Sequence, residues 1–192
     1  TVAIVTERLR NQEDDLSTRF TPTLIFSPLK SKAKLQFLVE KATELGVGCL
    51  QPITTKRTEV TKLNIAKIRQ YCIEAAEQSE RLTLPKIEDV LTLQAAVEKW
   101  DSDQKLFCCV ERANAASLAD ELLSAVDSGS IQRPGIIIGP EGGFDEEEQE
   151  FLLSHHATTP VGLGPLILRA ETAAIAALSN YRIITCTRAA KF

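Results

Sequence analysis

The sequence predicts an α/β domain built on a mostly parallel sheet. Two observations carry that expectation. Short runs rich in Ile, Val and Leu alternate with longer segments whose apolar residues recur at helical spacing. Two loops containing Gly-Pro directly follow runs of the strand kind, where open parallel sheets place their ligands. The 192 residues, 44% hydrophobic and 25% charged, suit one compact domain whose core needs no disulfide staple.

In chain order, Val2–Val5 and Leu24–Phe26 read as short strands, separated by the polar stretch Asn11–Ser17. Ser31–Leu45 has Leu35, Leu38, Val39, Ala42 and Leu45 on one helical face, with Gly46 as its stop. Cys49–Ile53 is a strand, and Thr61–Glu80 the longest helical pattern, broken by Leu82–Pro85. Leu93–Trp100 reads as a short helix, Lys105–Val110 as a buried strand and Ser117–Val126 as a helix. Gly135–Ile138 is another buried strand. Asp145 caps the helix after it, with Glu148 as capping-box partner. Pro160–Leu163 is the last strand, and Ala170–Tyr181 an Ala-, Ile- and Leu-rich helix expected in a core or interface.

No apolar run approaches ~20 residues, so no membrane span is expected, and the first residues lack the pattern of a secretory leader. Cys49, Cys72, Cys108, Cys109 and Cys186 are odd in number and form no C-x-x-C pair. They read as free thiols of a cytoplasmic protein, with no metal site. Methionine is absent and the chain begins at Thr1. Two readings stay open: a piece of a longer protein, or a sequence from which modified methionines have been left out.

The net charge of −4 lacks the overall basic character of many nucleic-acid binders, but charge is distributed unevenly. Pro28–Gln70 holds nine Lys and Arg against three Glu, and Glu141–Glu150 holds six acidic residues and no basic one. Such runs are solvated helix faces or, for the basic stretch, a surface facing a phosphate backbone.

Gly139-Pro140-Glu141-Gly142-Gly143-Phe144 is either a tight strand-to-helix turn or a backbone cradle for a small ligand. It is neither a dinucleotide fingerprint nor a P-loop. Leu163-Gly-Pro-Leu-Ile-Leu-Arg-Ala-Glu-Thr-Ala173 carries Arg169 and Glu171 into an apolar helix, either as a structural ion pair or as a ligand contact. Glu171 and Thr172 fall in the first helical turn, which favours negative charge and ligand binding.

Four segments together resemble the bacterial family that methylates N3 of a uridine in 16S ribosomal RNA, a branch of the SPOUT methyltransferases. They are Lys41-Ala-Thr-Glu-Leu-Gly-Val47, Glu74-Ala-Ala-Glu-Gln-Ser79, Ile138-Gly-Pro-Glu-Gly-Gly-Phe144 and the Leu163–Ala173 segment, and the resemblance spans roughly Leu24–Tyr181.

The resemblance implies a SPOUT-type α/β fold with a C-terminal trefoil knot, a rare exception to unknotted chains. It implies S-adenosylmethionine as cofactor, a homodimer, and 16S rRNA or the small ribosomal subunit as partner. Residues 23–192 would form the methyltransferase domain. Residues 1–22 would be a linker or a remnant of the PUA-like RNA-binding domain that family members usually carry. Leu166 stands where the family often has Arg.

Cofactor contacts would come from Ile138, Gly139, Pro140, Glu141, Gly142 and Gly143, and from Leu163, Gly164, Leu166, Ile167, Leu168 and Thr172. Apolar loops with free backbone amides suit an adenine and a ribose. Uridine N3 must lose a proton during attack. Arg169 is the candidate for stabilising the resulting anion or a phosphate, and Glu141 and Glu171 for accepting the proton or holding Arg169. Lys30, Lys32, Lys34 and Arg57 are candidate RNA phosphate contacts. Arg81 would face RNA or the cofactor, or cap a helix. The alternatives are a knotted module that binds cofactor or RNA without turnover, a SPOUT enzyme acting on another RNA, and an unrelated α/β enzyme binding a nucleotide phosphate.

Overall fold

Seven parallel strands and six helices make up the computed structural model, which describes residues 21–60, 62–110, 115–129, 131 and 133–189. The strands are β1 (Thr23–Phe26), β2 (Cys49–Thr54), β3 (Lys86–Ile87), β4 (Leu91–Thr92), β5 (Leu106–Cys109), β6 (Gly135–Ile138) and β7 (Thr158–Val161). The helices are α1 (Lys32–Glu44), α2 (Ile65–Gln78), α3 (Leu93–Glu98), α4 (Leu118–Asp127), α5 (Glu146–Ser154) and α6 (Ala170–Ala189). The expected strand Val2–Val5 lies outside the described residues, as does nearly all of 1–22.

The sheet runs β3-β2-β1-β6-β5-β7, with β4 also pairing with β2. Every pairing is parallel, so both faces must be covered by helices and the strands read as unbroken apolar runs. Alternate side chains go to opposite layers. Leu24, Phe26, Phe107, Ile136 and Ile138 join one core with Leu38 and Val39 of α1, Cys72 of α2, Leu122 of α4 and Leu178 of α6. Ile25, Cys108 and Ile137 join the other with Val97 of α3 and Leu152 of α5.

Local signals set the ends of these elements. Ser31 caps α1, and Gly46, at a φ of 87°, ends it. The capping box of Asp145 and Glu148 opens α5 as expected. α2 starts later than the periodicity suggests, because the Asn64 side chain accepts from the amide of Lys67 and caps it there. α6 buries Ala170, Ala174, Ala177, Leu178 and Tyr181 along one stripe and continues beyond the expected end at Tyr181. It packs on α1 and α4.

The strand order decides where the site forms. β6 lies between β1 and β5, and β7 lies on the outer side of β5. The loops that follow β6 and β7 therefore flank the carboxyl end of β5. No helix among the described residues is long and apolar enough to cross a membrane.

Candidate functional site

The loop after β6 is a tight platform. A Cβ on Gly139 would lie 2.9 Å from the ring of Phe144, which is buried in the α3/α5 core. The amide of Gly143 donates to Pro140 O at 2.9 Å, with Gly143 at a φ of 70°. Asp145 accepts from the Glu148 amide at 2.8 Å, and Glu148 accepts from the Asp145 amide at 3.1 Å.

The connection from β2 to α2 is fastened onto this loop. Arg57 Nη1 donates to Gly142 O at 2.7 Å. Lys56 Nζ pairs with Asp145 at 3.0 Å and with Glu147, and the Lys56 amide donates to Glu148 Oε1 at 2.7 Å.

The loop after β7 is rooted on the segment before α4. Gly162 donates to Ala116 O, and Leu118 donates to Gly162 O, both at 2.9 Å. Beyond this root the loop projects. Leu166 is 77% exposed and Ile167 60% exposed.

The two loops and the end of β5 enclose a cavity of about 690 Å³, a size that suits a nucleoside-containing cofactor. Ile138, Gly139, Pro140, Glu141, Gly142 and Gly143 line it from one side. Leu163, Gly164, Leu166, Ile167, Leu168 and Arg169 line it from the other. The structure thus brings together all of the expected cofactor contacts except Thr172, which is exposed on the first turn of α6.

The electrostatics centre on Lys34, in the first turn of α1. Its Nζ lies 3.1 Å from Glu141 Oε1 and 3.4 Å from Glu171 Oε1. Glu141 Oε2 also accepts from the Lys30 amide at 3.3 Å. The hydrogen bond from Lys34 holds the Glu141 carboxyl below the usual carboxylate range, and the Glu148 amide does the same for Asp145. Glu171 is 8% exposed, and its Oε2 has no hydrogen-bond partner. Neither glutamate pairs with Arg169 among the described residues; Lys34 takes both. The Arg169 side chain is exposed at the cavity wall.

The other cationic candidates divide. Lys30 is exposed and pairs with Glu59 at 2.7 Å, Lys32 is exposed, and Arg57 lies along Gly142. Arg81 donates to Thr43 O at 2.8 Å and to Val47 O at 2.7 Å, a cap on the end of α1.

Several cavity or loop residues are missed by sequence reasoning. Lys56 sits in the basic run beside Arg57 with no signal that sets it apart. Cys109 and Val110 line the cavity because β5 ends between β6 and β7, which only the strand order reveals. Gln149 lines it from α5 and carries no sequence signal. Burial pushes the Cys109 thiol up to about 12, so this wall is uncharged at neutral pH. No group of three metal-ligating side chains occurs among the described residues.

Comparison with known proteins gives a consistent picture. The family model described as "RNA methyltransferase domain" matches residues 17–182. Ribosomal RNA small subunit methyltransferase E of Rickettsia conorii is 36% identical over 177 residues, covering 92% of this chain and 70% of that protein. The protein of the same name from Bacillus subtilis is 34% identical, covering 81% of this chain and 63% of that protein. The crystal structure of ribosomal RNA small subunit methyltransferase E from Neisseria gonorrhoeae bound to S-adenosyl methionine superposes with a TM-score of 0.73 at 28% identity. It covers 85% of this chain and 66% of that one. The chain thus spans about two thirds of the length of these relatives.

Proposed function

The chain belongs to the RNA methyltransferase domain family, and from that premise we propose that it methylates N3 of a uridine in 16S ribosomal RNA with S-adenosylmethionine as donor. The observation that carries the reading is the one cavity that the loops after β6 and β7 line together. The residues fit the cofactor. Gly139 has no room for a side chain, Gly143 and Gly164 adopt positive φ, and the aliphatic residues Leu163–Leu168 form a slot for an adenine.

When bound, the cofactor supplies an electrophilic methyl group on a sulfonium. The protein's part is to hold the uracil in line with that group and to favour loss of the N3 proton. Arg169 stabilises the negative charge that develops on the ring. Glu141 and Glu171 are the candidate proton acceptors. Glu141 is held as a carboxylate by Lys34, which makes it a weak base and shifts weight onto Arg169. The exposed Lys30, Lys32 and Arg57 present positive charge for the RNA backbone.

The same reading extends to a trefoil knot, a homodimer, a cytoplasmic setting and a methyltransferase domain over residues 23–192. Exposed Leu166, Ile167 and Ile183 support an apolar interface with a second copy.

The test is transfer of labelled methyl groups to small ribosomal subunits from a strain lacking this modification, with mass mapping of the product. The expected result is label on N3 of one uridine of 16S rRNA. Label on another base or RNA changes the substrate, and cofactor binding without transfer leaves a binding module.

A further inference from the structure

The cavity raises a mechanical question. Its two loops follow β6 and β7, which do not pair, because β5 lies between them. Two strand spacings, roughly 10 Å, separate the roots of the loops. No hydrogen bond runs directly between 139–144 and 162–171 among the described residues. Something else must fix one loop relative to the other.

Lys34 does so. Its ammonium meets Glu141 on the first loop and Glu171 immediately after the second. Glu171 is the more telling partner. It is buried, one of its oxygens is unpaired, and Lys34 is its ion-pair partner among the described residues. A buried carboxylate left without a cation is costly, so the helix that carries Glu171 is bound to wherever Lys34 stands. Lys34 is placed in turn by α1, whose Ser31 cap fixes the first turn and whose Leu38, Val39 and Ala42 lie in the core.

We propose that Lys34 is a positioning residue, one ammonium that ties the loop after β6 to the start of α6 and thereby holds the cofactor cavity in shape. This rests on the cofactor reading above and replaces, for Lys34, the role of an RNA phosphate contact. Its ammonium donates to Glu141 and has the Glu171 carboxylate at 3.4 Å, so its charge is already balanced within the protein.

The test uses the full chain and calorimetric binding of two probes, S-adenosylmethionine with its sulfonium charge and S-adenosylhomocysteine, a zwitterion of no net charge. Lys34→Met should weaken both by a similar factor, on the order of tenfold for a partly exposed bridge to a buried carboxylate. Lys34→Arg should recover most of the loss. The double variant Lys34→Met/Glu171→Gln should bind no worse than Lys34→Met, because the charge that needed balancing is gone. If Lys34→Met does not fold, Glu141→Gln breaks the exposed arm of the same bridge and should weaken both probes by a smaller, equal factor.

Tighter binding of the cationic probe alone would reduce Lys34 to a charge effect and overturn the proposal. Unchanged binding of both probes, with a salt slope for RNA lowered by about one, would restore the phosphate role. Failure of the unaltered protein to bind either probe would instead refute the cofactor reading itself.

Discussion

The guanidinium of Arg57 donates to the carbonyl oxygen of Gly142 at 2.7 Å, so the loop after β2 rests on the loop after β6. One basic residue thus braces the proposed cofactor loop and is also a candidate RNA contact. Arg57→Ala should raise the KM for S-adenosylmethionine roughly three- to tenfold, as expected for an exposed charge-assisted hydrogen bond. It should also lower the salt slope of RNA binding. Steady-state kinetics and salt titration separate the two. A change in the slope alone would show that the contact with Gly142 carries no function.

Gly139 has no space for a methyl group, since its Cβ would sit 2.9 Å from Phe144 Cε2. Phe144 is locked in the α3/α5 core and cannot swing aside. Gly139→Ala should therefore destabilise the fold by about 1–3 kcal/mol through overpacking. The urea midpoint measures it. Gly142→Ala is the control: its Cβ would meet Arg57 Cδ at 3.5 Å, an ordinary contact, and should leave the midpoint nearly unchanged.

Arg81 spends its guanidinium on Thr43 O and Val47 O. Arg81→Ala should cost stability, about 1–3 kcal/mol for a charged donor withdrawn from backbone carbonyls. Its RNA affinity and salt slope should match those of the unaltered protein. A slope lowered by about one would return Arg81 to the RNA surface.

Asp145 and Glu148 were readable in the sequence because a capping box is written within four residues. The strand Gly135–Ile138 was readable because a buried parallel strand is one apolar run. β3 and β4 were not, since two-residue strands have no period of their own and exist by pairing with β2. β7 begins at Thr158, earlier than the apolar run suggests. Its Pro160 lies on a strand that, among the described residues, pairs with β5 alone, where a missing donor is tolerated. The two loops of the site were legible from their composition. The bridge through Lys34 was not, because Glu141 and Glu171 converge only once β6 and β7 take their places on either side of β5.

Stability should fall in acid, and the sign follows from two carboxyls. Glu141 is held low chiefly by Lys34, and Asp145 chiefly by the Glu148 amide with Lys56 behind it. A carboxyl depressed by folding contributes stability above its unfolded pKa of about 4, and that contribution is lost as pH drops through the folded value. The melting temperature should stay level from neutral pH to about 5 and decline below about 4. Asp145→Asn and Glu141→Gln should each flatten the decline. A melting temperature independent of pH down to 3 would show that neither pair contributes.

Arg169 separates catalysis from binding. It lines the cavity with an exposed side chain, and the carboxylates that could have engaged it are held by Lys34. In the proposed mechanism its charge would act on the uracil as the N3 proton leaves. Removing a preorganised donor of this kind costs about 10²–10³ in kcat. Arg169→Ala should show that loss in single-turnover methylation while S-adenosylhomocysteine binds within about twofold of the unaltered protein, since a contact made only in the transition state leaves ground-state binding alone. Arg169→Lys should recover part of the rate, because it keeps the charge but not the planar fork. Equal losses in turnover and cofactor affinity would make Arg169 a wall of the cavity, and the charge that stabilises the anion would then have to come from elsewhere.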